Sequence, residues 1–256
     1  MQVNSWQGTI LVALLLCLVC SGVVSFTADN LRDLQQENTK LDVKKNLLLS
    51  AGLIAGKNVP RSEIEEIFEN VETKVVNLET GEYVDDAPDD FDARAAAKDA
   101  SQNIEIPAEK DIAKNRYRAK WGTVYLIKES GKLTSLVLPV SGYGLWSTLY
   151  GFLTLDIDTR TVKGLGFYEH AETAGLGAEV DNPRWKAQWP GKVVLDEQYV
   201  PIVSVEKGGN AKGSSSVDAL SGATITSRGV EKMIHYWLGD HGYGPFLNQF
   251  RNSAVD

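Results

Sequence analysis

Four hydroxyls and a glycine fall within seven residues in Ser221-Gly-Ala-Thr-Ile-Thr-Ser227. Behind them, Val230, Met233, Ile234, Trp237 and Leu238 recur at the spacing of one helix face. Ser221, Gly222, Ala223 and Thr224 therefore stand at or just before a helix N-terminus. Unpaired backbone N–H groups and the positive end of the helix dipole favour an anion there, phosphate above all. Gly222 removes a side chain where a phosphate would approach. Ser and Thr are also among the commonest N-cap residues, so a plain helix cap accounts for the same hydroxyls. The residues alone leave both readings standing.

A second cluster lies upstream in Glu169-His-Ala-Glu-Thr-Ala-Gly-Leu-Gly177. It mixes small residues with His170, Glu172 and Thr173, and Gly175, Leu176 and Gly177 close it. Such a loop suits the edge of a planar ring; a polar surface turn accounts for it equally well. Gly142-Tyr-Gly-Leu-Trp146 offers glycine-permitted backbone and an indole. Trp185 and Trp189 place two further indoles close together, for which core packing is the default.

The elements that must position these clusters are legible as period-two and helical patterns. Strands are expected at Thr123–Lys128, Leu133–Val140, Tyr150–Asp156 and Val162–Tyr168, with a later one at Ile202–Glu206. Gly142–Trp146 interrupts the series, and Gly208–Ser216 has the composition of a flexible loop. Upstream, Leu31, Leu34, Leu41 and Leu48 predict a helix that Gly52, Gly56 and Pro60 break. Ser62 and Glu65 make a capping box for a helix carrying Ile64, Ile67, Phe68 and Val71. A short apolar stretch at Val75–Leu78 leads to a turn at Gly81. Asp85–Asp92 reads as a solvated acidic loop, followed by an Ala-rich helix near Ala93–Ala100. The fold class is α+β, with a mainly antiparallel sheet flanked by helices. The expected division is an anchor at 1–28, a helical linker and subdomain at 29–120, and a domain at 121–256 that carries both chemical clusters.

The chain has 256 residues, 43% hydrophobic and 23% charged, with a net charge of −8. That balance buries a core and opposes nucleic-acid binding, which needs a basic field. Three histidines without paired spacing do not make a metal site. No charged side chain precedes Asp29, and Ile10–Phe26 is almost purely apolar. Those residues span about 26 Å as a helix at roughly 1.5 Å per residue, the lower edge of a bilayer core. A retained single-pass anchor fits better than a cleaved signal peptide, which wants a basic start and a small-residue cleavage site. Cys17 and Cys20 form a CxxC, but within an apolar helix they read as two small side chains on one face. Arg32, Lys40, Lys44 and Lys45 after the anchor lean towards a cytoplasmic flank, although Asp33, Glu37 and Asp42 dilute them.

Asp218-Ala-Leu-Ser-Gly-Ala-Thr224 also matches the Dxx[S/T]GAT flavinylation motif, and on it the chain resembles the FMN-binding domain family. With His170–Val180, Trp185–Trp189 and the apolar amino terminus, the resemblance extends over nearly the whole chain. It implies FMN attached through its phosphate to the Thr224 hydroxyl, with Asp218, Ser221, Gly222 and Ala223 around the attachment. It sets the ring near His170, Glu172, Thr173, Gly175, Leu176, Gly177 and Trp146. The expected function is electron transfer in a sodium-pumping NADH:ubiquinone reductase complex of the bacterial inner membrane, with no catalysis by the isolated chain. Partners are then the other membrane subunits and, during maturation, a magnesium-dependent transferase using FAD. The soluble domain is expected in the periplasm, against the lean of the charges. The alternatives are the FMN-carrying component of an Rnf-type electron-transport complex and a membrane-tethered binding domain without flavin.

Overall fold

Period-two alternation builds a five-stranded antiparallel sheet at the centre of the chain. The computed structural model describes residues 5–56 and 58–253. It contains α1 (Trp6–Ser50), α2 (Arg61–Phe68), β1 (Val71–Asn77), α3 (Ala93–Ala96), β2 (Asn103–Glu105) and β3 (Tyr117–Ala119). The main strands follow as β4 (Trp121–Glu129), β5 (Lys132–Tyr143), β6 (Thr148–Asp156) and β7 (Val162–Glu169). Then come α4 (Pro183–Lys186), β8 (Ser204–Glu206), β9 (Ser216–Asp218), α5 (Thr224–Leu238) and α6 (Gly244–Ser253). Two compact units result, Met1–Val43 and Lys44–Asp256.

In the first unit, α1 carries a window of mean hydropathy 2.6, long and apolar enough to cross a membrane. That fits the single-pass anchor. Cys17 and Cys20 are free and exposed on it.

In the second unit the sheet runs β1-β4-β5-β6-β7. Leu138 stands opposite Leu153, and Leu153 opposite Leu165. These leucines share one face with Leu136, Val140 and Phe167, and there they bury against Val230, Met233 and Ile234 of α5. Burying each of those three helix side chains contributes about 1.5–3 kcal/mol. The approach is close: a Cβ on Gly142 would sit 2.7 Å from Met233 Cβ. On the other face Gly164 and Gly166 leave room for the last turn of α1, where Ser50 Oγ lies 3.2 Å from Thr154 Oγ1.

One strand departs from the regular ladder. β4 pairs with β5 only as far as Tyr125 and Val137. Beyond that point β4 keeps β1, β5 keeps β6, and the two strands fork. Pro139 supplies the reason, since proline has no N–H to give to a ladder. Further along β5 on the forked side, Asn115 Nδ2 and Trp237 Nε1 donate to Ser141 O, at 2.9 and 2.7 Å.

Some local expectations are corrected. The Ser62–Glu65 capping box does not form: Pro60 is the N-cap of α2, without a side-chain bond, and Glu65 instead pairs with Arg61 at 2.8 Å. Val71 opens β1 rather than extending that helix, because it finds a partner in Ile127. The late strand is only Ser204–Glu206, and it pairs in parallel with β9 outside the main sheet. The Ala-rich helix is a single turn, capped by Asp92, whose Oδ1 accepts from Arg94 N and Ala95 N.

Candidate functional site

The segment before α5 is held from inside the helix. Leu220–Ala223 forms a turn closed by Ala223 N to Leu220 O at 3.2 Å, and Gly222 takes φ +73° there. That left-handed value is why glycine stands at this position. Ser227 Oγ accepts from Leu220 N at 3.0 Å and donates to Ala223 O at 2.9 Å. Ala223 is the N-cap and contributes no side-chain bond, so the plain cap reading of these hydroxyls does not describe the helix start. The first helical bond is Ser227 N to Ala223 O, which leaves the N–H groups of Thr224, Ile225 and Thr226 without helical partners.

The two threonines differ sharply. Thr226 is buried and donates to Glu172 Oε2 at 2.6 Å. Thr224 is half-buried, and its hydroxyl makes no hydrogen bond among the described residues. Ile225 between them is 57% exposed.

Glu172 is the joint of the site. Its Oε1 accepts from Leu145 N, Trp146 N and Ser147 N at 3.0, 2.9 and 3.2 Å, the turn of the β5–β6 hairpin. One carboxylate therefore clasps the hairpin to the first turn of α5. Burial by itself would push this carboxyl up. The bonds from Thr226, Trp146, Leu145 and Ser147 outweigh it and hold the group below its ordinary value. A Cβ on Gly177 would collide with Glu172 Oε2 and lie 2.7 Å from Thr226 Oγ1, so only glycine fits beside the clasp.

The rest of the loop is braced from its other end. Glu172 N donates to His170 Nδ1 at 3.3 Å, which leaves Nε2 to donate to Asp181 Oδ2 at 3.0 Å. Burial would raise the Asp181 carboxyl, but His170 and Lys186 bring it below its ordinary value. Thr173 O accepts from Leu176 N and Ala178 N, both at 3.1 Å, and Gly175 supplies a positive φ between them. Leu176 then reaches Gly222, where a Cβ would lie 3.1 Å from its Cδ2.

The structure thus brings Trp146, Glu172, Leu176, Gly177, Gly222 and Thr226 into one contact network with Thr224 at its edge. His170 stands behind that network as a brace, and Thr173 and Gly175 shape the loop. Asp218 ends β9, where its Oδ1 accepts from Ala211 N at 3.0 Å and its carbonyl accepts from Trp185 Nε1 at 2.8 Å. Trp185 and Trp189 are core indoles, edge to face at 5.5 Å. Ser221 is exposed and borders an open pocket of about 380 Å³ that Gly175, Arg184 and Gln188 also line. Sequence reasoning passed over Arg184, a cation beside the hydroxyl segment, and Ser147, whose hydroxyl accepts from Ala171 N at 2.8 Å.

The arrangement suits a planar cofactor that carries a phosphate. N–H groups without helical partners at a helix start, beside a glycine turn, are suited to a phosphate. Trp146, Leu176 and Ile225, exposed by 67, 45 and 57%, offer apolar surface for a ring. A Cβ at Gly222 would narrow that space against Leu176.

Comparison with known proteins agrees. Residues 144–239 match the FMN-binding domain. The chain is 46% identical to the C subunit of the Na(+)-translocating NADH-quinone reductase of Pseudomonas aeruginosa, over 98% of each chain. It is 44% identical to the corresponding C subunit from Vibrio vulnificus, over 99% of this chain and 98% of that one. The crystal structure of Shewanella oneidensis NqrC superposes with a TM-score of 0.78 at 36% identity, covering 84% of this chain and 99% of that one.

Proposed function

Because this chain belongs to the family formed by the C subunits of Na(+)-translocating NADH-quinone reductases, we propose that it relays electrons within such a complex through FMN esterified to Thr224. The observation that carries the reading is the contrast between the two threonines. Thr224 is half-buried and its hydroxyl makes no hydrogen bond among the described residues, whereas Thr226 is buried and committed to Glu172.

When bound, FMN supplies the redox chemistry, and the protein supplies position and surroundings. The N–H groups of the first turn of α5 receive the phosphate. Trp146, Leu176 and Ile225 give the ring an apolar rest. A threonine hydroxyl is a poor nucleophile at neutral pH, so attachment requires an external transferase. With FAD as donor, Thr224 Oγ would bond to the flavin-side phosphorus as the pyrophosphate P–O bond to AMP breaks, with the hydroxyl proton passing to the transferase. A diester prevents loss of a carrier exposed outside the cytoplasm.

The apolar part of α1 stays attached as a single-pass anchor in the inner membrane, and the folded unit stands in the periplasm. Other membrane subunits donate and accept the electrons, with ubiquinone as the final acceptor of the complex.

The test is a denaturing gel of membrane-expressed protein viewed under ultraviolet light. The band should fluoresce, keep its fluorescence in Thr226→Val and lose it in Thr224→Val. Peptide fragmentation that places the FMN mass on Thr226 would overturn the assignment.

A further inference from the structure

The fork between β4 and β5 opens into a cavity of about 610 Å³ that shares no residue with the Asp218–Thr224 segment. That volume lies within the usual range for small-molecule sites, about 300–1,000 Å³. Its walls come from Trp121 on β4, Pro139 on β5, Tyr150 on β6 and Tyr168 on β7, with α3 and β3 opposite. Tyr117, Trp237 and Tyr243 add further aromatic residues to the lining. Arg94 closes one side, stacked 3.7 Å over the Tyr150 ring and paired with Glu169.

Charge decides what such a space would hold. The chain as a whole carries −8, yet the cavity lining includes Arg94, Lys98 and Arg118 and no Asp or Glu. Arg94 is neutralised by Glu169. Arg118 is not: it is 7% exposed, its Nη1 donates to Ala119 O at 2.9 Å, and no carboxylate forms an ion pair with it among the described residues. Burial lowers its affinity for the proton, with Tyr236 and Glu79 acting against that. With no carboxylate in direct contact, the guanidinium keeps part of its desolvation cost, and an anion delivered to it offsets that cost. Lys98 is exposed in the turn after α3 at the same cavity and adds attraction from the rim.

We propose that this fork is a second binding site, for a small aromatic monoanion whose carboxylate meets Arg118 while its ring lies among Trp121, Tyr150 and Tyr168. Aromatic walls supply the apolar area and edge-to-face contacts. A guanidinium supplies a directional partner for a carboxylate. The fork gives the ligand a space that strand pairing would otherwise close.

The test uses the purified full-length protein with its flavin attached, in detergent, by isothermal titration calorimetry. The probe is 2-naphthoate, and the control is the neutral 2-naphthamide. The naphthoate should bind one to one, and the amide at least about tenfold more weakly, as expected for the loss of a charge-assisted bond. Lys98→Glu, on an exposed position, should weaken the naphthoate several-fold. Ala97→Trp, which fills the cavity from the end of α3, should abolish it, and Thr224→Val should leave it unchanged. Arg118→Gln should behave like the amide control; if that variant does not fold, Ala97→Trp and Lys98→Glu still decide. Absence of saturable heat up to about 5 mM naphthoate overturns the site. Equal binding of the amide overturns the anionic preference, and binding that survives Ala97→Trp places the probe elsewhere.

Discussion

Replacing Glu172 by Gln keeps the shape of the clasp and removes its charge. In the native chain the carboxylate accepts three backbone N–H groups through Oε1 and the Thr226 hydroxyl through Oε2. The amide oxygen can retain the hairpin bonds, but the amide nitrogen cannot accept from Thr226. Hydrogen bonds to charged groups contribute about 1.5–3 kcal/mol and neutral ones about 0.5–1.5. The bonds share one acceptor group and do not add, so a net cost of about 2 kcal/mol is expected. For a folded unit of this size that is a fall in Tm of about 4–8 °C at pH 7. The pH dependence gives the sharper result. The folded-state pKa of Glu172 is held below its unfolded value. Its contribution is therefore complete above the unfolded value and is lost as pH falls through the folded one. The Tm gap between wild type and Glu172→Gln should be constant from pH 6 to 8 and shrink below about pH 4. Scanning calorimetry at a series of pH values checks this. An unchanged Tm at pH 7, or a gap that does not shrink on acidification, would refute the clasp as a charge-assisted joint.

Gly177→Ala drives a methyl into Glu172 Oε2 and towards Thr226 Oγ1. It should cost about 1–3 kcal/mol in denaturant unfolding and lower flavin content with it. Asp218→Asn keeps an oxygen for Ala211 N. It should therefore fold with native thermal stability yet carry little flavin by absorbance; full flavin content would remove Asp218 from attachment. A reporter that works only in the cytoplasm, fused after Asp256, should stay inactive, and activity there would place the folded unit on the other side.

Local patterns in the sequence reached the four long strands and α5 because alternation and helical spacing are short-range signals. Leu138, Leu153 and Leu165 could be assigned to a buried face without knowing their partners. That Thr224 and Thr226 face different surroundings was legible through helix geometry, since residues two apart point to different sides. The clasp was not legible, because Glu172 and Thr226 are 54 residues apart and nothing local marks either as the other's partner. Glu172 was singled out as a ring neighbour, whereas its oxygens are engaged within the protein. β1 was hidden for the opposite reason: Val71 continues an apolar helical pattern, and only pairing with Ile127 makes it a strand. Pro139 looked unremarkable inside Leu133–Val140, yet it stands where the ladder divides.

The clasp also sets an order of events. The hairpin turn, the Glu172 loop and the first turn of α5 come from three separate stretches of chain, and a single carboxylate joins them. The acceptor segment thus has its final shape only once the sheet has formed and the helix has docked. A modifying enzyme that recognised that shape, as the proposed attachment to Thr224 requires, would pass over nascent and misfolded copies. On the proposed function, cofactor loading would then double as an inspection of the finished chain.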